Sequence, residues 1–258
     1  MRMLLAFTCL TVLAPPSQAA GHLAEVLVID RDSGVALRTY YHRGEYWVAG
    51  TPGARYAIQI RNTLHERLLA VTSVDGVNVL TGDSARFDQS GYVLEGEQSY
   101  EITGWRKSQA EVAVFEFAAA PNSYAARTGR SANIGVIGVA VFREQRPAQV
   151  ASAPAAPAAP GESREKAADS AQRSSVAPQA PPAAKLGTAH GPREPSAVEF
   201  TDFLRASSHP NEIVRIRYDS RENLLALGII PPAAAPRWAP DPFPGSSLAH
   251  FVPDPPDL

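Results

Sequence analysis

Residues 54–62 read ARYAIQIRN. Tyr56, Ile58 and Ile60 fall on one side of an extended chain, and Arg55, Gln59 and Arg61 on the other. A period of two is the mark of a strand with one dry face and one wet one. Similar short runs recur around it. LAEVLVID (23–30) and VALRTYYH (35–42) are joined by RDSG at a hairpin-like spacing. RLLAVTSV (67–74), VNVL (77–80), QSYEITGW (98–105), EVAVFEF (111–117) and NIGVIGVAVF (133–142) follow. Gly, Asp, Asn or Pro punctuates the gaps. About eight or nine short strands without a ten-residue helical period predict an antiparallel β-sandwich or jelly-roll-like domain over residues 21–146.

SVDGVNVLTGD (73–83) has the acids and glycines of a cation loop, but not their spacing. A calcium loop needs oxygen ligands at alternating positions and a closing Glu. Val77, Val79 and Leu80 stand where ligands would be needed, whereas Asp75-Gly76 tolerates the positive φ of a tight hairpin. The stretch reads as two turns.

The N-terminal residues carry an export signal. Arg2 precedes the apolar run MLLAFTCLTVLA (3–14), and SQAA (17–20) ends in small residues. That is the layout of a cleaved signal peptide over residues 1–20, with cleavage after Ala19 or Ala20. The single cysteine, Cys9, follows Phe7 and Thr8 inside the apolar run, which is not a lipidation pattern. Its loss leaves a mature chain without disulfides, as is common in the bacterial periplasm. The expected location is periplasmic or secreted. Of 24 Lys and Arg, 23 remain without Arg2, against 26 acids. That balance points to no nucleic-acid partner. No later stretch reaches 18 uninterrupted apolar residues, so no membrane span is expected.

Prolines divide the rest. Residues 147–195 hold nine prolines and fifteen alanines in 49 positions, which predicts a disordered Ala/Pro-rich linker. Residues 196–230 read as a small α/β docking segment. It has AVEF as a short strand, a two-turn helix capped by Thr201, EIVRIRYD as a strand, and RENLLAL as a helix capped by Asp219 or Ser220 with Gly228 at its end. This segment either packs on the sandwich or adds IVRIRY to a partner's sheet edge. Residues 231–258 form a Pro-rich tail.

No catalytic constellation stands out. The six histidines (22, 42, 65, 190, 209 and 250) lack HExxH or HxH spacing, so neither metal nor cofactor is expected. PGSSL lies in the tail rather than on a nucleophile elbow, and Glu95 and Glu97 read as a solvated turn. Two surfaces are candidates for ligand binding. AAPNSYAARTGRSAN (119–133) is the longest break between strands, holding Tyr124, Arg127, Arg130 and Asn133. Its two arginines can clamp a carboxylate or phosphate. GWRKS (104–108) offers Trp105 and Arg106 for stacking or ion pairing.

The ordered string SVDGVNVLTG, GYVL, YEITGWRKS, VAVFEF, SYAARTGR and NIGVIGVAVFRE, with YDSRENLLALG later, resembles a family of exported bacterial β-sandwich proteins to which no activity is assigned. The resemblance spans residues 60–145 and 196–230. It implies a bacterial exported unit and carries over no catalytic residue. The expected function is a non-enzymatic binding or envelope-associated module with a tethered docking segment and a protein or cell-envelope partner. The alternatives are a hydrolase assembled in space and a structural envelope protein.

Overall fold

The computed structural model describes residues 19–145 and 184–232. Residues 1–18, 146–183 and 233–258 lie outside the described residues, and with them the signal-peptide reading up to residue 18, most of the expected linker and the expected tail.

Two sheets face each other, as the period-two runs predict. The strands in chain order are β1 (Ala24–Asp30), β2 (Thr39–His42), β3 (Glu45–Gly50), β4 (Arg55–Asn62), β5 (Leu68–Val74), β6 (Val77–Asn78) and β7 (Tyr92–Leu94). They continue as β8 (Ser99–Ile102), β9 (Gly104–Arg106), β10 (Glu111–Ala119), β11 (Val136–Arg143), β12 (Leu186–Pro195) and β13 (Glu212–Ser220). One sheet runs β1-β4-β10-β12, with β8 paired to β4 and β9 to β10. The other runs β2-β3-β13-β11-β5, with β6 and β7 on the far side of β5. All pairings are antiparallel except β3 with β13. The core between the sheets is aromatic at its centre. Tyr56 stacks on Phe117 with ring centroids 4.2 Å apart, and Phe117 meets Tyr218 of the opposite sheet at 5.4 Å.

The RDSG turn starts a hairpin, with Asp30 N donating to Val35 O, but the chain then leaves β1. Past Leu37 it crosses to the other sheet, where β2 pairs with β3. Strand β3 escaped the periodicity because both its faces are covered. Val48 points into the core while Trp47 and Ala49 pack under Leu224, Ile229 and Ile230.

Three expectations for the second half need correction. Residues 186–195 were assigned to the linker, yet they form β12 along the whole of β10. A sheet edge supplies hydrogen bonds that Ala, Gly and Pro composition does not reveal. AVEF and the helix after Thr201 do not form; residues 196–204 carry neither helix nor strand. Finally, IVRIRY does not dock on the sandwich or on a partner. β13 lies in the interior of its sheet, paired with β11 through Val136↔Arg217 and with β3 through Ile216↔Tyr46. The segment is part of the domain, so the tethered-docking arrangement falls. Its helix α2 (Arg221–Ala226) forms as read, with the Ser220 hydroxyl accepting from Asn223 N and Gly228 at φ +68 just beyond it.

Candidate functional site

The two most exposed large hydrophobic side chains among the described residues, Phe200 and Leu204, lie on the arm between β12 and β13. Both ends of this arm are fastened. Ser196 N donates to Ala110 O at 2.7 Å and Val198 N to Gln109 O at 2.9 Å. Farther along, Gln145 N donates to Leu204 O at 2.7 Å and Ala206 N to Arg143 O at 2.9 Å. Arg67 forms an ion pair with Glu144 and also donates to Asp202 O at 2.8 Å. The Arg205 guanidinium sits 4.5 Å from the Phe142 ring centroid and donates to Gln89 O. Phe203 packs on Leu69, Val71, Ala140 and Phe142, the apolar outer face of the second sheet. Phe200, between these fasteners, is 89% exposed, and Leu204, within the second of them, is 70% exposed. Glu66, Arg67, Glu144, Phe203 and Leu204 line a surface groove of about 680 Å³ beside them.

The sequence-predicted residues divide between anchors and surface. Arg106 donates to Ser196 O at 2.5 Å and to the hydroxyls of Ser196 and Tyr92 at 3.2 Å, so it pins the arm. Trp105 is buried, donates to Ala189 O at 3.3 Å and meets Phe115 edge-on. Tyr124 begins α1 (Tyr124–Arg127) and stacks against Trp105 and His190. Burial, then Lys107 and Arg193, holds the His190 imidazole below its ordinary value. Arg130 reaches back to Gly82 O at 2.7 Å and to the Thr128 hydroxyl, with its guanidinium 5.8 Å from the Tyr124 ring. Arg127 is exposed, and the Asn133 side chain lies over Gly76. The two arginines therefore work apart, Arg130 as a loop brace and Arg127 in solvent. Arg127→Ala is expected to leave the melting temperature unchanged, while Arg130→Ala lowers stability by about 1 kcal/mol through loss of its carbonyl contact. Thermal melts of both variants check this.

Asp75 is the residue whose role the sequence conceals. With Gly76 it makes the expected hairpin turn, at φ +53 and +74. Its side chain, however, turns inward and is 1% exposed. One oxygen accepts from Tyr218 OH at 2.5 Å and Gly135 N at 2.9 Å; the other accepts from Thr188 N at 2.8 Å. The Thr188 hydroxyl lies 2.7 Å from both Tyr218 OH and Tyr56 OH. An ionised Asp75 can only accept, so Tyr218 donates to it, Thr188 donates to Tyr218, and Tyr56 donates to Thr188. Burial raises both phenols well above their ordinary values and keeps them as donors. This one-way chain ties β4 and β12 of one sheet to the β5–β6 turn and β13 of the other. Asp219 repeats the device, accepting from Leu186 N at 3.1 Å. Two acids of one sheet thus cap edge amides of the other. No ligand geometry is needed to explain either one.

A His–acid pair also exists. His65 and Glu97 approach to 3.1 Å, but their side chains are 90% and 63% exposed, so this is a solvent-facing contact rather than a buried catalytic pair. Among the described residues no helix is long and apolar enough to cross a membrane. Comparison of the chain with protein-family models, curated proteins and solved structures gives no match.

Proposed function

We propose that the protein is an exported, non-enzymatic binding module of the bacterial envelope, periplasmic or secreted, that holds a protein or cell-envelope partner through the arm of residues 198–204. The observation that carries this reading is the fastening of the arm. A loop free to collapse would bury its phenylalanine. Here hydrogen bonds at 196–198 and 202–206 hold the backbone, with Phe200 exposed between the two sets and the Leu204 side chain exposed within the second. Pre-ordered apolar anchors beside polar groups are what protein interfaces use at their centres, because little conformational entropy is lost on association. Arg67, Glu144 and Glu66 supply a polar rim around the groove.

The test is capture from a bacterial envelope extract with the wild type and with the double variant Phe200→Ser, Leu204→Ser. Both positions are solvent-facing, so the variant should melt within a few degrees of the wild type. The expected result is a specific partner lost in the variant, with an affinity drop of tenfold or more. Equal capture by both proteins would overturn the reading.

A further inference from the structure

Residues 20–24 form a built turn that has no role in the partner surface. Ala20 is wholly buried in the core and bridges to Val26, with Ala20 N donating to Val26 O at 3.1 Å and Val26 N to Ala20 O at 2.8 Å. Gly21 then takes φ +103. A Cβ added there would fall 2.1 Å from the Ala24 carbonyl oxygen, so only glycine fits. The turn aims three successive amides at one carboxylate. His22 N and Leu23 N each lie 2.7 Å from Glu212 oxygens, and Ala24 N lies at 3.3 Å. The Thr63 hydroxyl donates to the His22 and Leu23 carbonyls, closing the turn from the other side. The domain as an integral structure therefore begins at Ala20, and Ala19 is outside its hydrogen-bond pattern.

The sequence before that point is Ser17-Gln18-Ala19. Signal peptidases recognise small residues one and three places before the cut. A cut after Ala19 places Ala19 and Ser17 at those positions. A cut after Ala20 places Gln18 at the farther one and would also remove a core residue with both its strand bonds. Taking the export reading as its basis, we infer that the Ala19–Ala20 bond is the processing site of a signal peptidase. Water adds across that amide, leaving a carboxylate on Ala19 and a new amino group on Ala20 beside the Val26 carbonyl oxygen. Once Glu212 has closed over residues 22–24, the bond lies against a buried residue. Cleavage thus precedes folding, and the folded domain seals its own amino end.

The full chain expressed in a bacterial host, fractionated and measured by intact mass and N-terminal sequencing, tests this. The expected product in the periplasm or medium begins at Ala20. A product beginning at Gly21, or at any other residue, overturns the inference while leaving export intact. Uncleaved protein confined to the cytoplasm would instead sink the export reading on which it rests. Ser17→Tyr places a large side chain three residues before the cut and should leave the precursor unprocessed; normal processing of this variant would also overturn the assignment. In a third arm, Glu212→Ala should lower the melting temperature without moving the cut, and a moved cut counts against the proposal.

Discussion

A chain ended at residue 184 is expected to show no cooperative unfolding transition. The loss removes β13 from between β3 and β11, which splits the second sheet, and β12 from the full length of β10. Leu186, Val214, Ile216, Tyr218, Leu224 and Ile230 leave the core, each 4% exposed or less. Loss of a buried large side chain costs about 2–5 kcal/mol, and domains are stable by only about 5–15 kcal/mol in total. The sum exceeds what any sandwich of this size holds in reserve. Circular dichroism melts and amide-proton dispersion read the result directly. A sharp transition in the truncated chain would show that residues 1–184 fold alone, and that the integral role of β13 is mistaken. A separately made peptide of residues 184–232 should restore the transition when added.

Asp75→Asn is the most damaging single substitution expected here. The amide oxygen can still accept from Tyr218 OH and Gly135 N, but its NH₂ group then faces Thr188 N, donor against donor. Turning the amide over only moves the conflict to the other two donors. Unsatisfied buried donors cost about 1–3 kcal/mol each, which gives roughly 3 kcal/mol for the site. For a domain of this size that lowers the melting temperature by about 6–12 °C. The penalty also depends on pH. Burial is the largest influence on Asp75 and outweighs the donors from Tyr218, Thr188 and Gly135, so its carboxyl titrates above the ordinary 3.8. A folded-state value above the unfolded one means that the proton binds the folded chain more tightly. Its contribution to stability is therefore fully present below 3.8 and is lost as pH rises through the raised value. The variant has no such titration. The gap between wild type and Asp75→Asn should be constant near neutrality and widen on acidification toward pH 4. A gap that narrows would show that the three donors, rather than burial, dominate the site.

Much of the fold is legible in the sequence, and the failures have a common cause. Residues 55–61 alternate because Tyr56, Ile58 and Ile60 face the core while Arg55, Gln59 and Arg61 keep contact with solvent; Ala57 alone is buried on that second face. At β3 the outer face is roofed by Leu224 and Ile230, almost two hundred residues later in the chain, so alternation is erased. Leu186–Pro195 has no pattern of its own. It becomes a strand because β10 offers an open edge and because Asp75 and Asp219 accept its outward amides. The same distance hides Asp75. Its local spacing predicts the turn that forms, but its partners at 135, 188 and 218 are invisible to any local window. Arg106 was legible as a residue with a task, though not as the anchor of an arm ninety residues downstream. Phe200 was hidden in the expected AVEF strand and Leu204 in the helix expected from Thr201; neither element forms, and Phe203 packs on the outer sheet face instead.

The interior position of β13 also sets a clock. The ribosome completes β11 at Arg143, but the strand that must lie against it ends at Ser220. At about 5–20 residues per second, roughly 4–15 s of synthesis separate the two. For that interval β3 and β11 each lack the neighbour that joins the β2–β3 pair to the β11–β5 pair, and Asp75 waits for Thr188 and Tyr218. The nascent chain is thereby kept open until most of it has been made, the condition a polypeptide needs if it is to be threaded through a membrane before it folds.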